Sequence, residues 1–176
     1  GVFVSTTNQY TASVDSTGKV NKYSFASHAP TPNSPFLLNH SVTSGVHIRG
    51  NELLAVATTE FNVMVVDLKS FTTVRRLSGH TGIITGLDAT PDARRVFTTS
   101  LDKTLRVWDV PTGQCVDWLA FHKAPTSVAC SPTSEFLATT HADSLGVSIW
   151  SDKSFYQSVY CNVSPKVPVL MTEPEL

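Results

Sequence analysis

His80, Thr98 and Asp102 bring an imidazole, a hydroxyl and a carboxylate into one short stretch, and Trp108 adds an indole N–H. A base, a hydroxyl and an acid are the parts of a nucleophilic triad, so the first reaction class to weigh is a hydrolase built on a Thr/His/Asp set. Against it, the chain has no Gly-x-Ser-x-Gly elbow, and Thr98 falls in mid-strand, away from any exposed turn. His141 and Asp143 could be taken for a metal pair, but a metal site needs more converging ligands. Arg75-Arg76 and Arg94-Arg95 are the adjacent basic pairs, with Lys103 nearby in sequence. They read first as solvated strand ends. The sharper reading is a weak contact with phosphates or an acidic partner.

The elements that would position these groups are short strands. Around Thr98 the pattern gives strands over residues 83–87, 95–99, 104–110 and 115–120, with turns at Pro91-Asp92 and Pro111-Thr-Gly113 where those residue types favour turning. The same plan recurs. The slot of Trp108 is filled by Tyr23, Val66 and Trp150, at steps of 43, 42 and 42 residues. Upstream of it, Thr11-Ala-Ser-Val-Asp15, Thr98-Thr-Ser-Leu-Asp102 and Thr139-Thr-His-Ala-Asp143 share Thr-x-x-x-Asp, whereas the second copy has Val56 and Glu60 there. Four units follow: 1–34 and 35–77, both degenerate, 78–122, well formed, and 123–163. Residues 164–176, with three prolines and no strand period, read as a linker or tail. Nearly continuous apolar runs in the inner strands fit sheets covered on both faces.

Gly79-His80 at the start of the third unit, Trp108-Asp109 further along it and a period of about 40–45 residues resemble the WD40 repeat family. The fold this implies is an all-β partial propeller of about four blades, each of four antiparallel strands, and a fragment of a seven-bladed or tandem propeller. It also implies a structural role for the polar set. In such a blade the Trp108 N–H donates to Thr98, Thr98 to one nitrogen of His80, and the other nitrogen to Asp102, which satisfies each buried atom. A looser tetrad, His122, Thr139, Asp143 and Trp150, is expected in the fourth blade, with the extra residue in Asp143-Ser-Leu-Gly146 widening its turn. Three stretches are more specific: Trp108-Asp-Val-Pro-Thr-Gly-Gln-Cys-Val-Asp117, Ala124-Pro-Thr-Ser-Val-Ala-Cys-Ser-Pro132 and residues 135–151. They are similar to the last blades of the second propeller in the U3 small nucleolar RNA-associated protein 21 family, also called the WD-repeat protein 36 family. That resemblance implies a non-catalytic scaffold of the small-subunit processome, in the nucleus and nucleolus, acting in pre-ribosomal RNA processing. Its partners would be protein subunits of a large ribonucleoprotein.

Composition narrows the classes. Lysine plus arginine number 13 against 14 acidic residues, and 15% of residues are charged, which argues against a surface dominated by phosphate binding. No run of about 18 apolar residues occurs, so no membrane span is expected. Three cysteines, an odd number at no metal spacing, point to a reducing compartment. No cofactor or small-molecule substrate is expected. The alternatives are a WD40 adaptor of a ubiquitin ligase or chromatin complex and, from another class, the Thr/His/Asp hydrolase. Four units leave a ring open, so the blade faces around Val2-Phe-Val4 and around residues 147–150 should lack a neighbour.

Overall fold

The protein is described by a computed structural model covering residues 3–6, 10–27, 29–31, 34–48, 52–151 and 165–171. Every named element among them is a strand. The first sheet contains β1 (Phe3–Thr6), β2 (Tyr10–Val14), β3 (Lys19–Ser24) and β4 (Phe36–Leu37). The second contains β5 (Val42–Ile48), β6 (Leu53–Thr58), β7 (Val63–Asp67) and β8 (Thr72–Leu77). The third is built on β9 (Ile84–Ala89), β10 (Arg95–Ser100), β11 (Thr104–Asp109) and β12 (Gln114–Ala120). The fourth shows β13 (Pro125–Cys130), β14 (Phe136–His141) and β15 (Val147–Ser151). Each is an up-and-down antiparallel meander, and the first strands β5, β9 and β13 lie against one another in turn. This is the blade arrangement of a partial WD40 β-propeller.

The period-two alternation of each strand explains the packing. In β7, Val63 and Val65 enter a core with Ile84, Val96 and Trp108 of the third sheet, while Met64 and Val66 enter another with Tyr10, Ala12 and Val20 of the first. In β10, Val96 faces the second sheet, and its neighbour Phe97 joins Leu105, Val107 and Val128 between the third and fourth. β6 and β7 therefore bury both faces, and their sequences are correspondingly apolar over most of their length. Polar ties cross the same seams. The Thr85 hydroxyl reaches the Pro125 carbonyl at 2.7 Å, and the Cys130 N–H donates to Asp88 at 2.6 Å.

The residue just before the Trp108 slot points onward to the next sheet. Val65 and Val107 are buried there, and Lys22 is caught by Glu52 and the Leu68 carbonyl of the second sheet. In the fourth sheet the matching residue is Ile149, which is 70% exposed beside Val147 at 61%. With Phe136 and Ala138 it lines a shallow apolar depression. The opposite open face, around Val2-Phe-Val4, and the fourth strand expected after residue 151 lie outside the residues whose side chains or backbone are described.

Two boundaries read from the sequence differ from the structure. The repeat spacing ends the first unit at residue 34, yet Lys19 pairs with Leu37 and Val20 with Phe36, so the outer strand of the first sheet lies past that boundary. The prolines before it hide a strand of only two residues from a periodicity search. Residues 164–176 read as an irregular tail, yet β16 (Val169–Leu170) pairs in parallel with β12. Its cause is tertiary: an unpaired edge is available, and a two-residue strand has no period of its own.

Candidate functional site

The third sheet brings His80, Thr98, Asp102 and Trp108 together. His80 sits just ahead of β9, Thr98 in the middle of β10, Asp102 in the β10–β11 turn and Trp108 on β11. The Val96↔Trp108 pairing sets the indole beside the strand that carries Thr98. The Trp108 Nε1–H donates to Thr98 Oγ1 at 2.9 Å. Thr98 Oγ1 lies 2.7 Å from His80 Nε2, and His80 Nδ1 lies 2.8 Å from Asp102 Oδ2. One set of proton positions gives each atom a partner. The hydroxyl accepts from the indole and donates to Nε2, and Nδ1–H donates to the carboxylate.

Asp102 is the hub of the turn. It also accepts from the Thr81 and Thr104 backbone N–H groups, both at 3.0 Å, and from the Thr104 hydroxyl at 2.6 Å. Burial alone would raise its pKa. The hydrogen bonds from His80, Thr104 and Thr81 outweigh that and hold the carboxyl well below the usual carboxylate range.

The distances within this set match those of a hydrolase triad. Access does not. Thr98 is fully buried, and the His80 side chain is 1% exposed. The Thr98 hydroxyl already gives its one proton to His80 and accepts from the Trp108 indole. The two described cysteines are held as thiols near neutral pH. Burial, with the Asp88 charge, pushes the Cys130 thiol up to about 11, and burial also raises Cys115. Among the described residues no group of three or more His, Cys, Asp or Glu could hold a metal ion.

The fourth sheet builds its network differently from the expected His122, Thr139, Asp143 and Trp150. Trp150 Nε1–H does donate to Thr139 Oγ1, at 2.8 Å. The imidazole on Thr139 is that of His141, with Nε2 at 2.9 Å, held edge-on to Phe121 at 4.7 Å between ring centroids. His122 is exposed, and Asp143 is exposed in the turn with a left-handed φ of 55°. The cause is the lengthened turn. In the third sheet Thr99 pairs with Leu105, but in the fourth Thr140 pairs with Val147, so the acid is carried outward from the strand pair. No spacing rule would have chosen His141, because it lies on the strand itself.

The second sheet retains a pair that sequence reading missed. His40 Nδ1 lies 3.1 Å from Glu60, which also receives Arg76 at 3.2 Å. His40 stands 40 residues before His80 and Glu60 stands 42 before Asp102. That repeat step was the available signal. In the first sheet Asp15 caps its own turn instead, accepting from Thr17 and Lys19.

The basic residues do not gather into one patch. Arg75 donates from Nε and an η nitrogen to the Pro111 carbonyl at 3.2 and 2.6 Å, stitching the second sheet to the third. Arg76 is tied to Glu60, and Arg94 lies 3.5 Å from Asp109. Arg94 and Arg95 stand at one end of β10, and Lys103 stands in the turn at its other end.

Comparison with known proteins places this geometry in a lineage. A family model described as the WDR36/Utp21 second β-propeller domain matches residues 1–171. The chain is 37% identical to the U3 small nucleolar RNA-associated protein 21 homolog of Schizosaccharomyces pombe, over 68% of this chain and 13% of that protein. It is 36% identical to U3 small nucleolar RNA-associated protein 21 of Saccharomyces cerevisiae, over 69% of this chain and 13% of that protein. Against human WD repeat-containing protein 36 the identity is 33%, over 99% of this chain and 19% of the relative. The chain thus spans less than a fifth of the length of each of these relatives.

Proposed function

Because this chain belongs to the WDR36/Utp21 second β-propeller family, we propose that it is a non-catalytic scaffold segment of a ribosome-assembly factor. Its relatives carry the U3 small nucleolar RNA association in their names. On this reading the chain works within a large ribonucleoprotein of the nucleolus, the small-subunit processome, and holds protein subunits in place during pre-ribosomal RNA processing. RNA contact is weak or indirect, since Arg75, Arg76 and Arg94 already have carbonyl or carboxylate partners.

The observation that carries the non-catalytic part is the burial of the Thr98–His80–Asp102 set, which leaves no route for a substrate. The position of Arg75 favours scaffolding in the same way, because it reinforces a seam between blades.

Affinity purification of the full-length protein, followed by mass spectrometry, tests the assignment. Recovery of U3 ribonucleoprotein and ribosomal-RNA-processing factors is the expected outcome. Recovery of ubiquitin-ligase or chromatin subunits in their place would move the chain to another WD40 assembly.

A further inference from the structure

The outer edges of the second and third sheets, β8 and β12, are built differently. In β8 every residue except Leu77 is exposed, and Arg75 and Arg76 stand on it, the charged edge that discourages pairing. β12 reads Gln-Cys-Val-Asp-Trp-Leu-Ala, with Asp117 as its one charge, and ends on three uncharged residues, 118–120. Such an edge offers unpaired N–H and C=O groups beside apolar side chains, a template for another strand.

The chain's own tail lies on that stretch. Leu119 pairs in parallel with Val169 and Ala120 with Leu170, and the Met171 N–H donates to the Ala120 carbonyl at 2.8 Å. Pro168 precedes the pair, where a missing N–H costs no ladder bond. Val169 and Leu170 are at least half exposed, so the pairing is held by backbone and by one anchor. That anchor is Met171. It packs against the core that Phe97, Leu105, Val107 and Phe121 of the third blade form with Val128 of the fourth. The segment follows the fourth sheet in sequence but adds to the third.

We infer that the outer edge of β12 is a strand-acceptor site whose occupant is residues 165–171 of the same chain. The segment is a clasp. It closes an otherwise adhesive edge and, through Met171, braces the core shared by the third and fourth blades. This inference does not depend on the scaffold reading.

Amide hydrogen exchange by mass spectrometry on the full-length protein tests it. Unsubstituted protein should show slowed exchange at residues 169–171. Met171→Pro removes the donated N–H and should speed exchange about ten-fold both there and in peptides covering Leu119 and Ala120. Met171→Leu keeps the N–H and the apolar bulk and should leave both protected. Free-chain exchange rates at residues 169–171 in the unsubstituted protein would overturn the clasp. So would β12 exchange unmoved by Met171→Pro. Protection that grows with protein concentration would place a second copy on the edge and overturn the assignment to the same chain.

Discussion

At the scale of single residues, the third-sheet network resembles a catalytic triad in its distances and a structural cross-brace in its surroundings. Burial decides between them. Replacing His80 by alanine leaves the Thr98 hydroxyl and the Asp102 carboxylate without their shared partner, and a buried polar group left unpaired costs about 1–3 kcal/mol. Chemical denaturation of the complete propeller should show a loss of that size for His80→Ala. Equal midpoints for variant and parent would remove the network from the account of stability. The acid limb gives a second check. The Asp102 pKa is depressed on folding, so its contribution is fully present above the unfolded value of about 3.9 and is lost as pH falls through the folded value. Stability should therefore drop below about pH 4. Asp102→Asn should be weaker at neutral pH, with a flatter acid limb, as read from denaturation midpoints at neutral and acid pH. A variant with the same acid limb as the parent would assign that loss to other carboxylates.

At the scale of elements, the innermost strands β9 and β13 come close enough that one position must be glycine. A Cβ on Gly86 would stand 2.6 Å from the Thr99 hydroxyl and 2.9 Å from the Val128 backbone nitrogen. Gly86→Ala should therefore push the third and fourth sheets apart, at a cost of about 1–3 kcal/mol, as overpacking does elsewhere. Thermal unfolding of the complete propeller would read this, and an unchanged transition would mean that the seam is looser than described. The elements also show what was legible. The turn residues and alternating strands around Thr98 place β9 to β12 to within a residue or two, because local chemistry and tertiary packing agree there. β4 and β16 escaped because a two-residue strand has no periodicity and exists only through its neighbour's edge. The Thr139–Trp150 contact follows from the repeat, whereas His141 in place of His122 follows from a turn one residue longer, whose path the sequence does not specify. Glu60 stands in the aspartate position of the repeat, but nothing local points to its partner His40, because the second unit lacks the Thr and Trp that advertise a network.

At the scale of the molecule, the three cores lie between consecutive sheets, so each blade depends on the one before and the one after. The fourth sheet has the third on one side and presents Phe136, Val147 and Ile149 on the other. In a ring that apolar face is the seat of another blade, and a scaffold built this way holds its partners only when the circle is complete. On this architecture the chain is an open run of propeller blades whose stability is shared with further blades. Light scattering on the isolated 176-residue chain tests it most directly. Masses above that of a single chain are expected, as copies cover the face around Ile149 with one another. A stable monomer with a sharp, cooperative unfolding transition would contradict it, because the four sheets would then close without their missing neighbours.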